Sequence, residues 1–205
     1  MNDEERPASP LAIALFGPLD VRLEGQPLPA LRSQKSQWLL ALLALQRGRA
    51  VERTWLAGTL WPDSSNRQAA FNLTRNLSDL RHALGAEARR LEAPTPRTLR
   101  LNLAGTEADV LVFDAAIAAG DPPALEQAAA LHRGPPLQGC HEEWVLPERL
   151  VREEAYRAAL ERLAAHARTR GDLAAAVHYL RRLVAADPLR DSAQRALMEI
   201  LAAGG

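Results

Sequence analysis

The chain has 205 residues, of which 47% are hydrophobic and 24% charged, and its net charge is zero. This length allows one large domain or two small ones, and the single Cys140 excludes an internal disulfide. The acidic start, MNDEERPASP, lacks the apolar region of a signal peptide, and no apolar run reaches the roughly 18 residues of a membrane span. We therefore expect a soluble, cytoplasmic protein with no membrane association.

Charge is unevenly distributed along the chain. Residues 1–105 contain 14 basic and 10 acidic residues, whereas residues 106–205 contain 11 and 15. A basic N-terminal half and an acidic C-terminal half are typical of a protein that binds a polyanion through its first part. An asymmetry this small also arises by chance.

The first third of the chain predicts short strands followed by two helices. Residues 1–10 are expected to be a disordered tail. The apolar run Leu11–Gly17 and the alternation in Asp20–Glu24 predict two or three antiparallel strands that end near residue 28. Ser33 is a plausible N-cap of a helix through about residue 46, and a shorter helix is expected over about Thr54–Leu60. The first helix should bury Trp38, Leu39, Leu42, Leu43 and Leu45.

A third helix is predicted over Arg67–Leu84, ending at Gly85. Apolar residues at spacings of three and four form its core stripe, namely Ala70, Leu73, Leu77, Leu80 and Leu84. The opposite face carries Gln68, Asn72, Arg75, Asp79 and His82, with Phe71 and Asn76 on its flanks. The planar ends of Gln, Asn and Arg suit base edges in a major groove. An ordinary solvated helix face is the alternative.

Two strand-like runs follow, Arg89–Glu92 and Thr98–Leu103, with the turn Ala93–Arg97 between them. Three helices and then a hairpin, with a sheet in front, is the element order of a winged helix-turn-helix. In that architecture the third helix enters the major groove and the hairpin tip, here Arg97, approaches the backbone or a narrow minor groove. Arg97 could equally be a solvated turn residue.

Residues 106–205 predict helices without a further strand. Helices are expected over Asp109–Ala119, Pro123–His132 and about Val145–Arg170, with a loop over residues 133–143. Residues 157–188 have the small and large residues of a tetratricopeptide unit, and a shift of 34 residues aligns Leu163 with Leu197 and Gly171 with Gly205. We therefore expect a repeat domain that is truncated after the first helix of a second repeat, with Gly204-Gly205 in the turn.

The sequence offers little enzyme chemistry. The cluster Cys140–Glu143 consists of adjacent residues, which do not place a base across a cleft from a nucleophile. The five histidines and one cysteine match no zinc spacing, and there is no Gly-rich phosphate loop. We expect no catalytic residue, no metal and no cofactor, and an enzyme is a remote hypothesis.

Several motifs together resemble the bacterial transcriptional activator domain family, which includes the antibiotic-regulatory (SARP-type) activators. They are FGPLDVRLEG, RSQKSQWLLALLALQRGRAV, LAGTLWPD, NLSDLRHALG, RGPPLQGCHEEW and ALERLAAHA. The resemblance implies an OmpR-type winged helix that binds double-stranded DNA, usually as a homodimer on direct repeats, and a contact with RNA polymerase. Where family members often have basic residues this chain has Asp79 and His82, and Arg97-Thr98-Leu99 stands where many have Gly-Tyr.

The sequence thus predicts an α+β winged helix-turn-helix over residues 11–105, followed by an all-α tetratricopeptide-like domain over residues 106–205. The favoured function is sequence-specific DNA binding and transcriptional activation, with helix 67–84 in the major groove and hairpin 89–103 as the wing. Lys35 is expected to contact phosphate at most. The alternative is a protein-interaction module with the winged helix as a scaffold. The candidate DNA-binding residues are Lys35, Arg67, Gln68, Phe71, Asn72, Arg75, Asn76, Asp79, His82 and Arg97.

Overall fold

The computed structural model describes residues 10–29 and 31–203, which form two compact units. The mixed unit consists of residues up to 111 together with residues 137–144, and the helical unit of residues 112–136 and those from 145 onward. Most of the predicted tail and the Gly204-Gly205 turn lie outside the described residues. The boundary near residue 105 stays a prediction. An α+β N-terminal part and a helical C-terminal part are confirmed.

The mixed unit contains seven short strands and three helices among its described residues, and a fourth helix begins in it. In chain order these are β1 (Leu11–Ala14), β2 (Asp20–Leu23), β3 (Gln26–Pro27), α1 (Gln34–Leu45), β4 (Val51–Glu52), α2 (Arg53–Leu60), α3 (Asn66–Leu84), a 3-10 helix (Gly85–Arg90), β5 (Leu91–Glu92), β6 (Thr98–Leu101), β7 (Glu107–Ala108) and α4 (Asp109–Ala119).

The N-terminal strands form a four-stranded sheet in the order β3-β2-β1-β7. As predicted, β1, β2 and β3 are antiparallel and end close to residue 28. The expectation of no further strand from Glu107 onward is wrong, because β7 pairs in parallel with β1 through Ala12–Glu107 and Ile13–Ala108. A two-residue strand has no periodicity to detect, so only the tertiary pairing defines it.

Helix α1 lies in the centre of the mixed unit. Ser33 is its N-cap and accepts a hydrogen bond from the Ser36 backbone N–H at 3.2 Å, as predicted. All residues from Trp38 to Leu45 are buried, so the helix is covered on every side. An apolar surface all round a helix is the pattern of a fully enclosed core helix. Leu56 and Leu60 of α2 and Leu73 and Leu80 of α3 complete the core.

The predicted hairpin is present as β5 and β6, although it is shorter than predicted. Strand β4 pairs with the other edge of β6, which gives a three-stranded sheet in the order β4-β6-β5. The prediction of a first strand over Arg89–Glu92 is wrong for its first two residues, because residues 85–90 form the 3-10 helix and β5 begins at Leu91. In that turn the buried Glu87 carboxylate accepts hydrogen bonds from Arg89, at 3.0 Å, and from Arg90. The Arg90 hydrogen bond is the main reason why the pKa of Glu87 is lowered. These contacts tighten the chain before β5 begins.

The helical unit continues α4 and adds four helices, α5 (Pro122–Leu131), α6 (Val145–Thr169), α7 (Leu173–Ala186) and α8 (Asp191–Ala203). Consecutive helices from α5 to α8 contact each other. Gly171 has φ 76°, and Asp172 caps α7 by accepting from the Ala175 N–H at 2.9 Å. The core contains Phe113, Leu125, Tyr156, Leu160, Leu163, Leu180 and Leu183.

Two polar side chains of the helical unit pack among its helices, Arg152 buried and His132 half-buried. Arg152 is almost fully buried and its guanidinium contacts Asp114 at 2.9 Å and Glu148 at 2.6 Å. The ring of His132 stacks on Tyr156 with centroids 3.9 Å apart. Burial lowers the pKa of His132, and the positive charge of Arg182 lowers it further. The neutral imidazole is therefore the form that the helical unit favours.

Candidate nucleic-acid interface

Helix α3 has one buried stripe and one broad exposed face. Ser65 caps its start by accepting from the Gln68 N–H at 3.3 Å, and Gly85, with φ 54°, follows its last residue. The predicted stripe is right except at its first position, where Ala69 is buried and Ala70 is exposed. With two adjacent alanines, periodicity alone does not fix the rotation of the first turn. The buried residues are Ala69, Leu73, Leu77, Leu80 and Leu84.

The exposed face of α3 brings together five of the predicted DNA-binding residues. These are Arg67, Gln68, Phe71, Arg75 and His82, all exposed, with Ser78 between Arg75 and His82. Arg67 and Gln68 stand side by side at its start and the later members follow at spacings of three or four, so they form one continuous row along the helix. We refer to these six residues as the outward row. It combines two guanidinium groups, an amide, an imidazole, a hydroxyl and one phenyl ring.

Asn76 and Asp79 lie on a different flank of α3 and contact the start of α1. The Asp79 Oδ2 atom accepts from the Arg32 backbone N–H at 3.0 Å and from the Ser36 hydroxyl at 3.1 Å. The Asn76 Oδ1 atom accepts from the Ser36 hydroxyl at 2.8 Å and from the Ser33 hydroxyl. The side chain of Asp79 is only 15% exposed. Both side chains therefore serve as acceptors at the N-terminus of α1, where a negative charge is favourable.

Asn72 lies between that flank and the outward row. Its Oδ1 atom accepts from the Gln68 Nε2 at 3.0 Å, one helical turn earlier. Its backbone carbonyl accepts from the Asn76 Nδ2 at 2.8 Å. The two hydrogen bonds hold the Gln68 and Asn76 amides in fixed orientations beside Asn72.

Lys35 forms an ion pair that sequence reasoning missed. Its Nζ donates to the Leu60 carbonyl at 2.6 Å and to both carboxylate oxygens of Glu142 at 2.8 Å. Glu142 belongs to the segment 137–144, which returns to the mixed unit. There the Leu137 and Gln138 N–H groups donate to Leu15 and Gly17 carbonyls at 2.7 Å each. A separation of 107 residues leaves no local signal for such a pair.

An open polar pocket of about 560 Å³ lies between the start of α1 and α3. It is next to the outward row, since Arg75 and His82 line it together with Asn72 and Trp61. The side chain of Arg32, also in its wall, is 84% exposed. The pocket thus extends the polar surface of α3 toward α1.

Arg97 occupies the turn of the hairpin, as predicted, and is exposed. Thr95 and Thr98 brace the turn through their hydroxyls, which are 2.8 Å apart. The Arg97 carbonyl accepts from the Arg53 N–H at 2.8 Å, which ties the turn to the first residue of α2. Burial lowers the pKa of Arg53, and the nearby Arg81 guanidinium lowers it further. Positive charge therefore stands at the hairpin turn (Arg97), at the start of α2 (Arg53) and in the last turn of α3 (Arg81).

The described residues show no metal-binding group of three or more His, Cys, Asp or Glu side chains. Cys140 is buried, and its neighbour Glu142 is the ion-pair partner of Lys35. No helix among the described residues is long and apolar enough to cross a membrane.

Comparison with known proteins supports the predicted resemblance. The family model of the bacterial transcriptional activator domain matches residues 105–205. Residues 105–205 thus resemble a bacterial transcriptional activator domain. The solved structure of Mycobacterium tuberculosis EmbR in complex with a low-affinity phosphopeptide is similar, with a TM-score of 0.77 and 25% sequence identity. The match covers 93% of this chain and 54% of that chain, so the present chain spans about half the length of EmbR. No curated protein matches significantly.

Proposed function

We propose that this protein is a sequence-specific, DNA-binding transcriptional activator of the SARP type. In this proposal residues 11–105 are an OmpR-type winged helix-turn-helix and residues 106–205 a tetratricopeptide-like activator domain. The family match over residues 105–205 and the likeness to EmbR support the class of protein. The observation that supports DNA binding is the outward row of α3, a continuous line of exposed side chains, several of them with the hydrogen-bonding ends that suit base edges.

The proposed recognition helix is α3, inserted into the major groove. Arg75 is in the middle of the outward row and is the side chain best suited to donate two hydrogen bonds to a guanine. Gln68 and His82 lie on either side of it along the helix. Arg67 is at the start of the row, where it can reach a phosphate or a base edge.

The β5–β6 hairpin is the proposed wing. Arg97 at its turn would enter a narrow minor groove or contact the backbone. Burial lowers the pKa of Arg53, and the nearby Arg81 guanidinium lowers it further; a phosphate bound beside these two cations would offset their repulsion. We assign both to phosphate contacts, which position the protein without reading sequence.

For Asn76, Asp79 and Lys35 the contacts favour a supporting role. Asn76 and Asp79 hold the N-terminus of α1 against α3, and Lys35 holds Glu142 and the end of α2. We infer that they set the orientation of α3 and do not themselves read bases. Asn72 combines the two roles, since it contacts Gln68 of the outward row and Asn76 of the supporting flank.

The helical unit is assigned to dimerisation on direct repeats and to contact with RNA polymerase. The alternative function, a protein-interaction module with the winged helix as a scaffold, rests on the same helices. Several large apolar side chains of the helical unit are exposed, including Leu146, Leu150 and Val151 on α6. A reporter assay with Leu150→Asp tests whether this surface is needed for activation while DNA binding is retained.

Binding-site selection from random duplexes with the whole chain tests the main proposal. We expect one enriched sequence, footprinted on one or two adjacent repeats. Affinity for that sequence should fall steeply with salt, because each neutralised phosphate releases about one counterion. Failure to enrich any sequence, with affinity no greater than for random DNA, would leave the interaction-module alternative.

A further inference from the structure

Phe71 is exposed in the middle of a polar surface. Its side chain is 61% exposed and lies nearly opposite the buried Leu73 on α3. Its neighbours one turn away in either direction, Arg67 and Arg75, are both exposed and charged. An aromatic ring in this setting exposes apolar surface to water, and only a binding partner would bury that surface. Its place within the outward row indicates that the partner is the one the row binds.

We propose that Phe71 is a specificity-determining residue that contacts the C5-methyl group of a thymine in the major groove. This inference rests on the proposed DNA-binding function. Among the four bases only thymine presents a methyl group there, and apolar side chains are its usual partners. A phenyl ring has no donor for a phosphate, so a backbone contact would gain little from Phe71.

The geometry of α3 also limits where that thymine lies. Residues four apart on a helix have Cβ atoms about 5–6 Å apart, and base pairs are stacked about 3.4 Å apart. Phe71 and Arg75 therefore reach positions separated by one or two base pairs. The binding site should contain a thymine within two base pairs of the guanine that Arg75 reads.

The polar neighbours of Phe71 do not replace it as the reader at this point. Gln68 and Asn72, which lie on the same flank of Phe71, are hydrogen-bonded to each other at 3.0 Å. Asn76 and Asp79 are occupied at the start of α1. The centre of the outward row is thus formed by a phenyl ring and a guanidinium group.

The test uses the whole chain and the duplex obtained by binding-site selection. Each thymine is replaced in turn by deoxyuridine, which lacks only the methyl group, and Kd is measured at fixed salt. We expect one position at which the replacement weakens binding about fourfold, the value for one methyl group removed from an apolar contact. Phe71→Ala should bind the two duplexes equally well, and Phe71→Leu should keep part of the discrimination.

Trp55→Ala is the matched control, because Trp55 is an exposed aromatic residue on α2, 45% exposed, outside the outward row. This variant should keep the fourfold difference, and circular dichroism verifies the fold of each variant. A Phe71→Ala protein that still discriminates thymine from deoxyuridine overturns the inference and leaves DNA binding intact. Absence of any selected sequence with the wild-type chain overturns the proposed function and this inference together.

Discussion

Replacing Asp79 separates a supporting residue from a base-reading one. In the structure its carboxylate accepts from the Arg32 N–H at 3.0 Å and from the Ser36 hydroxyl at 3.1 Å, and it is 15% exposed. A hydrogen bond to a charged group contributes about 1.5–3 kcal/mol when well shielded, and a carboxylate at a helix N-terminus adds about 0.3–1 kcal/mol. Because partial exposure weakens both effects, we expect Asp79→Ala to lower the free energy of unfolding by about 2–3 kcal/mol.

Urea denaturation followed by tryptophan fluorescence reports the unfolding of the mixed unit, which contains Asp79. The four tryptophans of the chain, Trp38, Trp55, Trp61 and Trp144, all lie in the mixed unit. With a slope of about 1.5–2 kcal/mol per molar urea, the unfolding midpoint should fall by about 1–2 M.

Arg32→Ala is the control for this experiment. Arg32 reaches Asp79 through its backbone N–H, and its guanidinium, 84% exposed, is 3.7 Å from the carboxylate. Removing the side chain should therefore cost less than about 1 kcal/mol, as for other surface ion pairs. Asp79→Ala with wild-type stability but an altered base preference in binding-site selection would refute the supporting role. Such a result would mean that the carboxylate accepts a hydrogen bond from a cytosine amino group.

Three further outcomes are expected. Arg75→Ala should weaken binding to the selected site by about 1–3 kcal/mol and relax the preference at one base pair, measured by gel shift and repeated selection; unchanged preference would remove it from the reading face. Leu77→Ala should destabilise the mixed unit by roughly 2–5 kcal/mol in urea, since Leu77 is 2% exposed, whereas Ala70→Ser on the exposed side should have little effect. Because burial lowers the pKa of His132, the unfolded chain takes up a proton near pH 6.5 that the folded helical unit resists. The free energy of unfolding should thus have its highest value above about pH 6.5 and decrease as the pH falls toward the folded pKa. His132→Gln should flatten this pH dependence in urea titrations followed by circular dichroism. An unchanged slope would contradict the assignment.

Helix periodicity predicted most of the fold. The caps at Ser33 and Gly85, the bounds of α1 and α3 within about one residue, and four of five core positions on α3 all follow from local rules. These rules work because the segments are long enough to show a 3.6-residue repeat. They fail at β7 and at the start of β5, where two-residue strands depend on a partner elsewhere in the chain.

The candidate site was less accessible from sequence for a different reason. A helical projection separates the core stripe from the rest but does not indicate which remaining positions face a neighbouring helix. Asn76 and Asp79 look like base readers by residue type, and only the approach of α1 identifies their partners. The helical projection places Phe71 on a flank of the polar face. In the structure α1 covers the flank with Asn76 and Asp79, so Phe71 lies in the middle of the face that stays exposed.

The division of α3 among its neighbours also limits how much sequence it can read. One side is buried in the core, and a second, with Asn76 and Asp79, contacts the start of α1. About one residue per helical turn is left for the outward row. The row runs from Arg67 to His82, roughly 22 Å at about 1.5 Å per residue, which corresponds to about six base-pair steps of a duplex. The major groove curves around the duplex, so the two ends of a straight helix lie farther from the bases than its middle does. Base edges are therefore within reach only of the middle of the row, which is Phe71 and Arg75 with their immediate neighbours. A short core sequence of about three to five base pairs is therefore what one copy of this helix can specify, and longer specificity would have to come from the wing or from a second copy.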